Sequence, residues 1–364
     1  MQIKIEKQKL LNGLNTSIKA ISNKSTLEIL SGFLLIAKNN ELKIIGNDLN
    51  LGIETTIKDV TIFKEGSVVI KAKLFIDMIK KLPDYPVSLI YKENQLIIKC
   101  QEIEFDIMGN NPEEYPELPD IKKENEYTFN SDLMKTMIKQ TIFATSTDEA
   151  RPILNGVLFE IEDNILKLVA VDGYRLAHKT AKVNKTINNR AVIPSKTLKE
   201  LIKILEDNDT FRIYFSDKHI VFNINNVKII SRLLEGDFID YKGILPDEFI
   251  SQMEVDTQKL KSSIERGLLL AMKNNKSSIK FEIENNKLFI ESNAETGKLS
   301  ETLNVKYKGE KLIIGFNPNY LLDVLKIIDS EKIIMKFNNK ISPTILKGKK
   351  DDNYKYMILP VRLS

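Results

Sequence analysis

Two periodicities alternate along the chain. Six stretches place apolar residues at intervals of three and four, the pattern of an amphipathic helix. They lie in Glu6–Ser22 (apolar Leu10, Leu14, Ile18, Ile21), Val68–Asp84, Asn130–Ser146 (Leu133, Met134, Met137, Ile138), Ala191–Asp207, Asp256–Met272 (Leu260, Ile264, Leu268) and Leu312–Asp329. Asn130 or Ser131 is placed to cap the third. Between these stretches run short segments rich in Ile, Val and Phe, bounded by Asn, Gly and Asp, which predict strands joined by hairpin turns. Asp172-Gly173 is one such turn.

In order, the elements read helix, strands, helix, strands, and the chain states this three times. Ser31–Asp48, Asn155–Ala177 and Ser277–Ala294 share one strand–turn–strand form, with Gly32 and Gly156, and Asp48 and Asp172, each 124 residues apart. The second helices repeat in step, and the strands before them align Ile70, Ile193 and Ile314. A period this long exceeds a solenoid unit and fits three whole domains of one fold. Charged, proline-bearing junctions at Asn110–Tyr127 and Gly236–Ser251, in which Tyr115-Pro116 aligns with Phe238-Ile239, place the domains at 1–122, 123–249 and 250–364. Strands outnumber helices and hairpin-length turns imply antiparallel pairing, so the expected class is α+β, with two helices of each repeat on its sheets.

Composition adds bounds. The chain has 364 residues, 42% apolar and 29% charged, ordinary values for a globular protein. A single cysteine, Cys100, excludes an intramolecular disulfide, and no apolar run is long enough to span a bilayer, so a cytoplasmic protein without membrane contact is expected. The net charge of +4 is small for this length, so placement matters more than the sum. Lysines stand on helix faces that the apolar stripes leave free: Lys196, Lys199 and Lys203 on one, Lys135 and Lys139 on another, Lys73 and Lys80 on a third. Chemistry-bearing patterns are missing from the sequence. His178 and His219 show no metal-ligand spacing with Cys100, and neither a phosphate-binding glycine loop nor a nucleophile elbow occurs. No catalytic residue, metal or cofactor is expected.

Four runs carry a family resemblance: Arg151–Gly156 (RPILNG), Val169–Ala177 (VAVDGYRLA), Gly315–Leu325 (GFNPNYLLDVL) and Tyr356–Leu363 (YMILPVRL). With the threefold repeat they make the chain resemble the bacterial DNA polymerase III beta subunit, the sliding clamp, along its whole length. The resemblance implies a head-to-tail homodimer whose six domains close into a ring around duplex DNA, and no enzymatic activity. It implies sequence-independent DNA contacts from Lys24, Lys73, Lys80, Arg151, Lys196 and Lys203. It also implies a groove for a short linear motif of partner proteins: the clamp loader, the replicative polymerase, ligase and repair proteins. Its walls map to Leu154, Val171, Gly173, Tyr174, Arg175, Leu176, Ile239, Gly243 and Ile244, and to Asn317, Tyr320, Ile341, Pro343, Met357, Leu359, Pro360, Val361, Arg362 and Leu363. The dimer contact maps to Phe105 and Ile107 against Leu269 and Leu270. Departures concentrate in the groove: Ile239 stands where the family has Pro, Val171 for a common Thr and Tyr174 for a common His. A nuclease-like DNA-processing enzyme would need a carboxylate cluster, and a scaffold without DNA would keep only the groove.

Overall fold

The computed structural model describes residues 1–22, 27–123, 126–183, 189–246, 248–271, 278–294 and 297–363. Among these residues six α-helices stand where the apolar periodicity places them: α1 Lys7–Ser17, α2 Ala72–Lys81, α3 Ser131–Lys139, α4 Ser195–Ile204, α5 Thr257–Ala271 and α6 Pro318–Leu325. Side-chain caps set several of their starts. Asn130 accepts from the Leu133 amide at 2.9 Å, Asp256 from Lys259 at 2.8 Å and Asn317 from Asn319 at 3.0 Å, each satisfying an orphan donor of the first turn.

The threefold repeat is visible in the backbone. Asn39-Asn40, Asp163-Asn164 and Asn285-Asn286 have positive φ at both positions, the tight turn whose twist matches a hairpin and which Asn and Asp tolerate best. The second residue of each turn then offers its carbonyl to a Val amide: Asn40 to Val60 at 3.4 Å, Asn164 to Val183 at 2.8 Å and Asn286 to Val305 at 2.9 Å. Isolated backbone bridges, Val69–Asn110, Val192–Leu234 and Gly315–Val361, mark the end of each repeat. Two features differ from the sequence pattern. Each repeat opens on a short strand before its first helix (Gln2–Ile5, Tyr127–Asn130, Ser251–Asp256), paired with the strand that follows its second helix. The equivalent of Ile70 and Ile193 is Phe316, because Phe33 pairs with Ile70, Val157 with Ile193 and Ile279 with Phe316. The third strand slipped by two, and alternation alone is blind to such a shift because it leaves every side chain on its face.

The chain forms two compact units. The first, Met1–Met134 with Lys199–Leu233, holds a five-stranded and an eight-stranded sheet. In the eight-stranded sheet the strand Leu51–Ile57 of the first repeat pairs antiparallel with Val227–Arg232 of the second, Ile53 opposite Ile229. The second unit, Lys135–Leu198 with Leu234–Ser364, holds a nine-stranded and a four-stranded sheet. There the equivalent strand of the second repeat, Arg175–Lys182, pairs with Tyr354–Ile358 of the third, Ala177 opposite Tyr356. All the ladders are antiparallel among the described residues.

The linkers are part of the cores. After the first repeat Tyr115 turns inward onto Leu30, Leu34, Ile45 and Val69. After the second, Phe238 seats on the matching Leu154, Leu158, Val169 and Val192. In the third repeat the pair equivalent to Leu34–Ile45 and Leu158–Val169 is Lys280–Glu291, an ion pair at 3.2 Å. Lys311 adds pairs to Glu282 at 2.5 Å and Glu284 at 3.2 Å on that sheet. This face of the third repeat is built from charge, and water reaches both partners of the pair, which are 31% and 26% exposed.

Candidate functional site

The second unit brings most of the groove residues together through one backbone event. Strand Tyr354–Ile358 docks on Arg175–Lys182, so the last residues of the chain run beside the Asp172–Arg175 turn. The Leu359 amide donates to the Tyr174 carbonyl at 2.9 Å, and the Val361 amide to the Gly315 carbonyl at 2.9 Å. Gly315 is required there: a Cβ would lie 2.9 Å from the Val361 carbonyl oxygen and 2.6 Å from Leu363 Cδ2.

Two kinds of residue result. Leu154, Val171, Leu176 and Met357 are almost wholly buried and share one apolar cluster, with Ile239 of the linker packed against it. They form the floor of the site and leave the walls to others. The exposed members are Tyr174, Ile341 and Leu363; Tyr320 is half-buried, and its ring stacks on that of Tyr174 with centroids 6.3 Å apart. Ile341, Val361, Arg362 and Leu363 line a recess of about 500 Å³ together with Ile313, Ile314, Gly315 and Lys340. The sequence reading missed those last four. Gly315 stood inside a motif it used, while Ile313 is an outward residue of a strand and has no local signal. Pro343, Leu359 and Pro360 are half-buried; Gly173, Gly243 and Ile244 are exposed on turns. Asn317 caps α6, a structural task beside the site.

Arg175 departs from its expected place on the wall. It is 8% exposed and ties the site from beneath. Its Nε lies 2.9 Å from Asp172, its Nη1 2.6 Å from Asp323, and its Nη2 donates to the Phe143 carbonyl at 2.8 Å. The guanidinium sits 4.3 Å from the centre of the Tyr320 ring. Burial works against its charge, but Tyr356, Asp323 and Asp172 outweigh burial and hold it firmly protonated. Asp172 also anchors its own turn, accepting from the amides of Tyr174 at 2.9 Å and Arg175 at 3.0 Å.

Behind the floor, His178 stacks on Tyr241 at 5.6 Å, and the Tyr241 hydroxyl donates to Glu160 at 2.8 Å. Burial, with Lys355 and Lys167 nearby, pushes the imidazole down to about 4, so it is neutral at pH 7. This is a structural histidine.

The basic positions divide between the units. In the first, Lys73 and Lys80 are exposed on α2, and Lys203 is exposed near the end of α4 with Glu200 at 2.8 Å. In the second, Arg151 and Lys196 are exposed. Lys24 lies outside the described residues. The dimer positions also sit separately. Phe105 and Ile107 are half-buried on Ile103–Met108, the edge strand of the five-stranded sheet. Leu269 on α5 is 72% exposed and Leu270 is half-buried. Among the described residues no group of three or more His, Cys, Asp or Glu is arranged to hold a metal ion, and no helix is long and apolar enough to cross a membrane.

Family models for the DNA polymerase III beta subunit match in chain order: the N-terminal domain over 1–119, the central domain over 128–240 and the C-terminal domain over 242–362. A beta sliding clamp of Staphylococcus epidermidis is 36% identical, covering 100% of this chain and 99% of that protein. One from Staphylococcus aureus is 35% identical with the same coverage. The crystal structure of the Bacillus subtilis DNA polymerase sliding clamp superposes with a TM-score of 0.97 at 33% identity over all of both chains. A Pseudomonas aeruginosa clamp, bound to griselimycin in its crystal, gives 0.94 at 26%, again over all of both chains. Three repeated α+β domains, the ordered family matches and full-length similarity lead to one conclusion: this chain belongs to the DNA polymerase III beta subunit family, the beta sliding clamps.

Proposed function

We propose that two copies of the chain close head to tail into a six-domain ring around duplex DNA, with the domains at 1–122, 123–249 and 250–364. The chain is a processivity factor of DNA polymerase III and not a catalyst. Encirclement explains how such a factor holds a polymerase without binding DNA tightly: topology prevents loss sideways, and weak phosphate contacts permit sliding.

The observation that carries the ring is a pair of unused strand edges. Within the chain, Leu51–Ile57 of the first repeat joins Val227–Arg232 of the second, and Arg175–Lys182 of the second joins Tyr354–Ile358 of the third. The remaining strands of these two types are Gly297–Asn304 and Ile103–Met108, each an edge of its sheet. A third join of the same kind therefore needs a second copy, and head-to-tail addition that closes makes a ring. The internal registers carry over. Leu51 opposite Ser231 and Arg175 opposite Ile358 predict Gly297 opposite the partner's Ile107 and Leu299 opposite the partner's Phe105. Leu269, exposed on α5, adds apolar surface at that end.

The groove beside Tyr174, Tyr320 and the recess is the place for a linear motif of the clamp loader, polymerase, ligase or repair partners. Its buried apolar floor and few polar guides suit an extended peptide anchored by Leu or Phe. Lys24, Lys73, Lys80, Arg151, Lys196 and Lys203 supply phosphate contacts, and the protein works in the bacterial cytoplasm. Retention tests the reading: loaded clamp should stay on nicked circular DNA and run off once that DNA is linearised. Equal loss from both forms, or equal retention, would remove encirclement and leave an ordinary DNA binder or a scaffold.

A further inference from the structure

We propose that the outward face of the four-stranded sheet in the second unit is a docking surface for a tyrosine that flanks the anchor of a groove-binding partner peptide. Glu282 accepts its hydroxyl, and Phe289 and Ile313 hold its ring. The inference rests on the groove reading for the partner and on the residues of this sheet for the tyrosine.

The recess opens onto that face. Ile313, which lines it, is 39% exposed and stands on Leu312–Phe316 opposite Glu282 of the neighbouring strand. On the other side of Glu282 stands Phe289, half-buried on the same face. The opposite face of the sheet is taken by α5, where Ser292 donates to the Gly267 carbonyl at 3.0 Å. A peptide seated in the recess therefore meets Ile313 first, with Glu282 and Phe289 next across the strands.

The two earlier repeats show what this position takes. Phe33, Val157 and Ile279 match in register, so Ile36, Glu160 and Glu282 match three residues on. The linker after each of the first two repeats supplies a side chain suited to its sheet. Leu118 packs on the cluster that Ile36 joins, and Tyr241 donates its hydroxyl to Glu160 at 2.8 Å. Glu160 accepts that bond while paired with Lys167 at 3.3 Å and Arg190 at 3.8 Å. Glu282 is likewise doubly paired, with Lys311 at 2.5 Å and Lys280 at 3.3 Å. What changes is its cross-strand neighbours: Lys167 and Arg190 beside Glu160 become Phe289 and Ile313 beside Glu282. A carboxylate already matched by two ammonium groups gains little from a third cation, yet keeps lone pairs for a neutral donor. Between two apolar side chains it selects an aromatic ring with a hydroxyl at its tip.

The ion pairs have an ordinary task as well, because opposite charges across strands steady a sheet. That task shows in melting temperature and is indifferent to the sequence of a peptide.

The experiment uses the full-length protein and fluorescein-labelled synthetic peptides that share a Leu-Phe anchor. One has alanine throughout its flanks, and the others place a single tyrosine at successive flanking positions. Fluorescence anisotropy should find a position at which tyrosine tightens binding about tenfold over alanine. Phenylalanine at that position should bind about fivefold more weakly than tyrosine. Glu282→Ala should abolish the difference between tyrosine and phenylalanine, Phe289→Ala should weaken both, and neither should alter binding of the all-alanine peptide. Binding of the all-alanine peptide with no gain from tyrosine at any position overturns the docking surface and leaves the groove. Equal binding of tyrosine and phenylalanine, or a tyrosine preference that survives Glu282→Ala, overturns the assignment of Glu282 as acceptor. A fall in melting temperature with the preference intact does the same and returns Glu282 to the sheet alone. Failure of every peptide to bind removes the groove reading, and this occupant with it.

Discussion

The strongest local prediction concerns Arg175. Replacing it by alanine removes a side chain 9% exposed that joins Asp172, Asp323, the Phe143 carbonyl and the face of Tyr320. Taking one partner from a buried pair costs on the order of 3–5 kcal/mol, because the other charge stays behind. Two features soften that here. Asp172 keeps two backbone amides, and Asp323 is 37% exposed, so water recovers part of its solvation. The balance is a loss of about 3 kcal/mol. For a folding unit of this size each kcal/mol moves the melting temperature by roughly 2–4 °C, so far-UV circular dichroism should show a fall of about 6–12 °C. The Tyr174–Tyr320 pair also loses its backing, and affinity for a Leu-bearing peptide should fall about tenfold, equivalent to about 1.4 kcal/mol. A double-mutant cycle with Asp323→Asn should give a coupling of about 1–2 kcal/mol. A melting temperature within a degree of the unaltered protein, or additive effects in the cycle, would refute the claim that Arg175 ties the site together.

Other consequences can be checked independently. His178 is held down to about 4 in the fold against 6.5 when unfolded, so its contribution is complete above pH 6.5 and fades as pH falls through that window. The loss across it is about 3 kcal/mol, read as a urea midpoint that drops between pH 7 and pH 4.5 and drops less in His178→Gln. In a Cys100→Ser background, Phe105→Cys with Leu299→Cys should give an oxidised, covalently closed dimer, since facing strand residues lie within disulfide reach. Shifting the second cysteine to Lys298 should abolish it, and equal cross-linking at both positions would reject the register. Gly315→Ala should push the chain end away from its bridge, lowering peptide affinity about tenfold (about 1.4 kcal/mol) with little change in melting temperature. Unchanged peptide binding would detach the recess from the groove.

Much of the fold is local, and to that extent the sequence alone determined it. Six helices follow from apolar spacing, three hairpins from Asn-Asn and Asp-Asn pairs that accept positive φ, and helix starts from Asn130, Asp256 and Asn317. These depend on residues a few positions apart. The repeat was legible for the same reason, and with the motifs it carried the family and the outline of the groove. What remained for the tertiary structure was every relation between distant segments. Alternating apolar residues mark a strand without naming its neighbour, so the join of Arg175–Lys182 to Tyr354–Ile358, and the two edges left over, had no sequence signature. Burial separated the floor residues Leu154, Leu176 and Met357 from the exposed Tyr174 and Ile341, which the expected groove had grouped together. Arg175 looked like a surface guide until Asp323, 148 residues away, came within 2.6 Å.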